Sequence, residues 1–336
     1  MSTPAPVPEL LLDFIRRGAK FLLAGHKDPD GDCVGSQLAL ASALKRLGKE
    51  VLPCSAGPFK RPELLPYADR FTAQIPAGNR EGARVIITDC SDLGRTGDLE
   101  PQLKGLPLAV IDHHATGSSD SGAVFFLDIK APSVTFMVFA LIEALGLTPS
   151  KEEAEYLFLG LCTDTGFFRH LDHTGAGAFH RAARMVELGA NPKLAFNAIN
   201  GGKSLESRKL MGLVLARAEA HYNGKLVVSS EKYEETQELG AQGRDSDTLY
   251  QLLLAVKGVE AIAIIRQEKP DSCSLGLRSR DWVNVAEIAR QFGGGGHKNA
   301  SGAMVDGVIA GLKPRVIEAF KAQLAGPGTP EAGQNG

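Results

Sequence analysis

The sequence predicts an α/β protein: a mostly parallel sheet flanked by helices, followed by a second, smaller α/β unit. Three observations predict it. In the first half, short apolar runs alternate with helix-period segments, the pattern of strand–helix–strand units. In the second half, further apolar runs recur with helical segments between and after them. The chain has 336 residues, 43% of them hydrophobic, enough for two separate cores.

Taken in order, residues 21–24 read as a buried strand and 33–47 as a helix. Leu40, Leu44 and Leu47 share one face of that helix, and Gly48 stops it. Strands follow at 85–87, 108–111 and 124–127, and helices at 135–145, 152–161 and 176–188. The stretch 191–222 is helical in pattern, contains Gly201 and Gly202, and reads as the connection between domains. Strands at 226–228, 261–265 and 274–277 build the second sheet, with helices at 248–256, 283–292 and 314–324. The expected division is a first domain over 1–195, a helical linker over 196–222, a second domain over 223–325 and a disordered Gly/Pro-rich tail over 326–336.

Composition excludes several classes. A formal net charge of −2 offers no global field for long nucleic acid or an anionic membrane. A nucleic-acid substrate is therefore expected to be short and gripped locally. Cys33, Cys54, Cys90, Cys162 and Cys273 form no Cys-x-x-Cys pair, so free thiols in a reducing cytoplasm are expected. No signal peptide and no run of about 18 apolar residues is seen, so no membrane span is expected.

Five segments carry candidate chemistry. HKDPDGD directly follows the first strand and offers His26, Asp30 and Asp32 on one loop, a mixture suited to divalent ions. The plain structural alternative is an acidic turn with Asp32 as helix N-cap. ITDCSDLGRTG ends a strand with Asp89, followed by Asp92 and Arg95. VIDHHATG places Asp112, His113 and His114 after a buried strand, an expensive grouping unless it binds something. Neighbouring side chains in extended chain point opposite ways, so His113 and His114 divide the work, one toward metal and one toward substrate. Asp112 is suited to orienting an imidazole. GLCTDTGFFRH delivers Asp164, with Arg169 and His170 just beyond it. FGGGGHKNASG brings a glycine run containing Gly295 and Gly296, then His297, Lys298 and Ser301. Consecutive glycines make sense where backbone amides approach an anion. LGLRSR adds Arg278, Ser279 and Arg280 after a strand, a guanidinium source for phosphate.

In this order, over roughly residues 20 to 305, these motifs resemble the DHH/DHHA1 phosphoesterase superfamily. Within it they are most similar to the bifunctional oligoribonuclease and 3′-phosphoadenosine 5′-phosphate phosphatase group. The resemblance implies an N-terminal DHH catalytic domain and a C-terminal DHHA1 substrate-binding domain. It implies two divalent ions, usually Mn2+, with Mg2+ or Co2+ as alternatives. His26, Asp30 and Asp89 would hold one ion, and Asp32, Asp89, His113 and Asp164 the other. His114 would contact the scissile phosphate and Asp112 would support it. Arg278, Ser279, Gly295, Gly296, His297, Ser301 and Arg169 would meet the substrate. No role is carried to APSVTFMVF after the DHH motif, where relatives carry a Glu that is absent here.

The implied activity is hydrolysis of short oligoribonucleotides and of 3′-phosphoadenosine 5′-phosphate to AMP by a cytoplasmic enzyme, with a homodimer compatible. The partners implied are short RNA or small nucleotides, with no long nucleic acid and no membrane. Competing readings are a linear or cyclic dinucleotide phosphodiesterase and a RecJ-like single-strand exonuclease. A RecJ-like protein usually carries an extra OB-type domain, for which there is no room. A non-catalytic nucleotide-binding regulator fits less well, because all six ligand positions are occupied by ligating residues.

Overall fold

The computed structural model describes residues 5–114, 122–240 and 243–324. The chain divides into two compact units, Met1–Gly202 and Lys203–Gly336.

The first unit runs α1 (Glu9–Arg17), β1 (Lys20–Ala24), α2 (Gly31–Arg46), β2 (Glu50–Cys54), α3 (Ala77–Arg80), β3 (Ala83–Thr88), α4 (Glu100–Leu103), β4 (Leu108–Asp112) and β5 (Val124–Leu127). Four helices follow: α5 (Val134–Ala144), α6 (Lys151–Asp164), α7 (Ala176–Glu187) and α8 (Pro192–Asn200). The strands form one parallel sheet in the order β2-β1-β3-β4-β5. Phe21, Leu23 and Ile86 pack on one face among residues of α1, α2, α5 and α6. Leu22, Ala24, Val85 and Ile87 pack on the other with Leu99 and Leu103. Burial on both faces is why these strands read as continuous apolar runs.

From β1 the chain steps one way to β2, then returns past β1 to β3, β4 and β5. That reversal opens a crevice at the carboxyl ends of β1 and β3, where α/β sheets bind ligands. β2 lies outside the strands expected from sequence. Its EVLPC run carries Pro53, a residue that argues against a central strand, and the structure places it at the sheet edge, where it is tolerated. α2 begins at Gly31, and its N-cap is Asp30 and not Asp32: Asp30 Oδ1 accepts the amides of Asp32 at 3.1 Å and Cys33 at 3.0 Å.

The second unit runs α9 (Leu205–Ala216), β6 (Glu219–His221), β7 (Leu226–Glu231), α10 (Tyr233–Glu238), α11 (Ser246–Leu254), β8 (Ala261–Lys269) and β9 (Ser272–Ser279). It continues through α12 (Val285–Arg290), β10 (Gly295–His297), β11 (Ala300–Asp306), α13 (Ile309–Ala319) and α14 (Lys321–Leu324). Its sheet order is β10-β11-β9-β8-β7-β6, antiparallel except for β7 with β8. One face packs on α12 and α13 through Val285, Ile288, Leu312 and Val316. The other packs on α9 and α11 through Leu210, Val214, Leu249 and Leu253. From Lys203 onward the connecting stretch is therefore part of the second unit, with Leu210, Met211 and Val214 packed in its core. α13 starts five residues before Pro314 and carries that proline inside it. The tail 326–336, expected to be disordered, lies outside the described residues. Among the described residues no helix is long and apolar enough to cross a membrane.

Candidate metal centre

All six proposed ligands belong to the first unit. They sit at segment ends that the parallel sheet and its helices gather together. His26 follows β1, Asp30 and Asp32 open α2, Asp89 follows β3, His113 follows β4, and Asp164 ends α6. Asp89 has φ +61°, a left-handed conformation that turns the chain sharply out of β3. Aspartate adopts it more readily than most residues. Glycines let α6 approach α2: a methyl at Gly160 would stand 2.3 Å from Thr135 Cγ2 and 3.0 Å from Asp32 Cα. A methyl at Gly31 would stand 2.4 Å from Thr163 Oγ1. This small-residue seam brings the end of α6 against the start of α2.

The two candidate ligand histidines, His26 and His113, share one tautomer. His26 Nδ1 lies 2.8 Å from Lys27 O, and His113 Nδ1 lies 3.0 Å from Ala131 O. A carbonyl only accepts, so each Nδ1 carries the proton and each Nε2 is turned toward carboxylates. His26 Nε2 lies 3.5 Å from Asp89 Oδ2 and 3.8 Å from Asp30 Oδ1. His113 Nε2 lies 3.7 Å from Asp89 Oδ1 and 3.4 Å from Asp164 Oδ2. Asp89 thus offers one oxygen to each imidazole. These separations are long for hydrogen bonds. Atoms bound about 2.1 Å from one ion stand about 3 Å apart in octahedral geometry, close to the spacing here. Asp89 Oδ1 and His113 Nε2 are also buried with no hydrogen-bond partner among the described residues. Buried polar atoms rarely stay unpaired, and imidazole with carboxylate is a donor set that divalent ions accept. The residues fit a metal centre.

Asp32 is fully buried, and three donors hold it: Val134 N at 2.5 Å, Thr135 N at 2.8 Å and Thr135 Oγ1 at 2.7 Å. Its carboxylate caps the free amides at the start of α5, where the helix dipole also favours an anion. Ser133, the N-cap of α5, lies 2.8 Å from Thr135 Oγ1, so a hydroxyl chain leads to Asp32. Sequence reasoning assigned nothing to Ser133 and Thr135. The available signal was Ser-x-Thr opening an apolar helix, a capping pattern with polar atoms in a buried place.

Electrostatics mark the cluster as short of positive charge. Burial works against a charged His26, yet attraction to Asp30 and Asp89 lifts its pKa to about 10. Burial pushes Asp30 up, but His26 and the Cys33 amide hold it well below the usual carboxylate range. Burial, then the charge of Asp32, raises Asp164 to about 7. Asp89 is raised well above its ordinary value by burial and the neighbouring aspartates. Burial would lower His113, but the charges of Asp32 and Asp164 raise it.

His114 is arranged differently. Its Nδ1 lies 2.8 Å from Asp112 Oδ1, which also accepts the amides of His113 at 2.9 Å and His114 at 3.3 Å. Asp112 is fully buried and ties down the turn. Although His114 Nδ1 stands 3.7 Å from Asp89 Oδ1, its proton is committed to Asp112. His114 is therefore no ligand through that atom; its Nε2 remains for another partner, on a side chain 43% exposed. Cys33 also approaches His26 and Asp89. Burial and the charges of Asp89 and Asp30 push its thiol well up. All five cysteines are free and buried.

The residues proposed to meet substrate mostly lie in the second unit. Several of these positions are engaged within the fold. Ser279 Oγ donates to Val283 O at 2.7 Å and Ser301 Oγ to His297 O at 2.7 Å, so both buried hydroxyls are committed internally. The glycine run is no free anion loop: Gly295 and Gly296 pair with β11 as strand β10. A methyl at Gly294 would stand 2.1 Å from Gly302 O, and one at Gly296 2.6 Å from Ala300 O. Those glycines permit close strand approach. Gly295, Gly296 and His297 remain exposed along β10. Arg278 is half-buried on β9, and Arg169, in the first unit, is exposed.

Comparison with known proteins agrees with this architecture. Residues 20–161 match the model of the DHH family N-terminal domain, and 223–326 match the DHHA1 domain. A Thermus thermophilus protein named bifunctional oligoribonuclease and PAP phosphatase NrnA is 31% identical over 312 residues, covering 91% of this chain and 90% of that one. A crystal structure of an exopolyphosphatase-related protein from Bacteroides fragilis has the same fold, with TM-score 0.79 and 23% identity over 95% of this chain and 97% of that one. The Thermus thermophilus RecJ structure in complex with Mn2+ superposes with TM-score 0.53 and 18% identity, covering 98% of this chain and 57% of that one.

Proposed function

We propose a function from one premise: the chain belongs to the DHH/DHHA1 phosphoesterase superfamily, with the bifunctional oligoribonuclease and PAP phosphatases as relatives across most of its length. It is a hydrolase of that family. Its substrates are short oligoribonucleotides and 3′-phosphoadenosine 5′-phosphate, and it works with two divalent ions, manganese being the ion in the RecJ neighbour. Five free cysteines favour the cytoplasm.

The observation that carries this reading is the divided carboxylate of Asp89, one oxygen toward His26 and the other toward His113. His26 and Asp30 complete one ligand set; Asp32, His113 and Asp164 complete the other. Two divalent ions, when bound, neutralise the roughly −4 charge of the four aspartates and acidify water for in-line attack on phosphorus.

The chain's own residues do the rest. Lys27 O and Ala131 O hold the ligand imidazoles in one tautomer, and Thr135 and the start of α5 fix Asp32. Asp112 keeps the proton of His114 on Nδ1. When His114 is protonated, its Nε2–H donates to a phosphate oxygen, stabilising charge that develops there and supplying a proton to the departing oxygen. Arg278 supplies a cation for the terminal phosphate.

The test is manganese-dependent turnover of a dinucleotide, 3′-phosphoadenosine 5′-phosphate, a cyclic dinucleotide and pyrophosphate, side by side. Turnover of the first two above the others is expected. Turnover of the cyclic dinucleotide alone would replace this reading with a dinucleotide phosphodiesterase.

A further inference from the structure

Four arginines of the second unit are neutralised by carboxylates, Arg217 by Glu235 among them. Arg208 pairs with Asp245 at 2.6 Å, Arg244 with Glu231 at 2.7 Å and Glu268 at 3.0 Å, and Arg266 with Glu231 at 3.3 Å. Arg278 stands outside that group, as do Arg280, Arg290 and Arg315; what sets it apart is a buried aromatic ring beside it. Among the described residues it is paired with no carboxylate. Its Nη1 donates to Leu277 O at 2.9 Å, and its guanidinium carbon lies 4.6 Å from the centroid of the Tyr250 ring.

The ring is built in. Tyr250 on α11 is 4% exposed and packs in the same core as Leu249 and Leu253. On β9, Leu275 and Leu277 enter the opposite core, so Gly276 and Arg278 face α11. A methyl at Gly276 would stand 2.0 Å from the Tyr250 hydroxyl. Only glycine at 276 lets the ring lie across β9 beside Arg278. β9 pairs on its other edge with β11, Arg278 opposite Ala300, so Arg278 adjoins the β10–β11 hairpin.

We propose that Tyr250 is a positioning residue that orders the Arg278 guanidinium for an anionic substrate group without cancelling its charge. A flexible arginine loses considerable rotamer freedom when it grips a phosphate, and an ordered one loses less. A carboxylate would order it but neutralise it. An aromatic face attracts the cation through its quadrupole and leaves the full charge for a ligand. The fork is then presented to a terminal phosphate. This rests on the reading of Arg278 as a substrate-binding group.

The test is steady-state kinetics of the full-length manganese enzyme on 3′-phosphoadenosine 5′-phosphate. Tyr250→Leu is expected to raise KM roughly five- to thirtyfold with kcat within about twofold. Tyr250→Phe, which keeps the ring, restores most of the loss. In an Arg278→Ala background, Tyr250→Leu adds nothing further. 3,4,5-Trifluorophenylalanine at position 250 keeps the ring's shape while weakening its negative face. It is expected to raise KM above that of the phenylalanine variant, which removes any ambiguity from misfolding of the leucine variant. Equal KM for the fluorinated and phenylalanine variants, or multiplicative effects of Tyr250→Leu and Arg278→Ala, overturn the proposal. An Arg278→Ala enzyme with unchanged KM overturns instead the substrate-binding role of Arg278.

Discussion

Thr135→Val should loosen the metal centre without touching a ligand. Thr135 Oγ1 donates to Asp32 Oδ1 at 2.7 Å, where Asp32 is fully buried. Valine keeps the shape and removes the donor. Hydrogen bonds to a charged group contribute about 1.5–3 kcal/mol, and about 1.4 kcal/mol corresponds to a factor of ten in binding. Two backbone amides still hold Asp32, so the expected loss lies toward the lower end, about tenfold in manganese affinity, within the range found when partners of metal ligands are removed. The direction follows because burial already raises the Asp32 pKa and the Thr135 hydroxyl opposes that rise. Without it Asp32 holds a proton more tightly and yields its place to a metal less readily. Isothermal titration with manganese measures the affinity, and circular dichroism checks the fold. A folded Thr135→Val protein that binds manganese within about twofold of wild type would show that the hydroxyl does not tune Asp32.

Two further outcomes are expected. His114→Ala should lower kcat by about 10²- to 10⁴-fold with manganese content unchanged, because the Nδ1 proton is bound to Asp112; metal content by plasma mass spectrometry checks this, and loss of an ion would make His114 a ligand. Metal-stripped protein should grow less stable between pH 5 and pH 8. Asp164, raised to about 7, and His26, raised to about 10, bind protons more tightly folded than unfolded, so the stability they contribute below their ordinary values is lost as pH rises through the folded ones. Thermal unfolding in chelator should show that slope, reduced in Asp164→Asn; an equal slope in the variant would count against it.

Much of the fold and site was legible because the chemistry follows buried strands. Strands flanked on both faces stand out as apolar runs, and polar residues immediately after them, His26, Asp89 and Asp112 to His114, must lie at the sheet's carboxyl edge. Distance along the chain hid the rest. Thr135 serves Asp32 from 103 residues away, a relation no local pattern states. The glycine run reads as backbone amides approaching an anion, whereas its neighbour is the Gly302–Ala303 stretch of β11, fixed by strand register and not by composition. Ser279 and Ser301 carry the same hydroxyl whether they face a ligand or a neighbouring carbonyl, so only coordinates separate the two. β2 was obscured by Pro53, whose meaning depends on whether the strand is central or at an edge.

Electron paramagnetic resonance of the manganese-loaded protein, with metal counted per chain, tests the shared carboxylate most directly. Two ions per chain with the spectrum of a spin-coupled pair, lost in Asp89→Ala together with activity, is the predicted result. One isolated ion per chain, or a coupled pair that survives Asp89→Ala, would contradict the account.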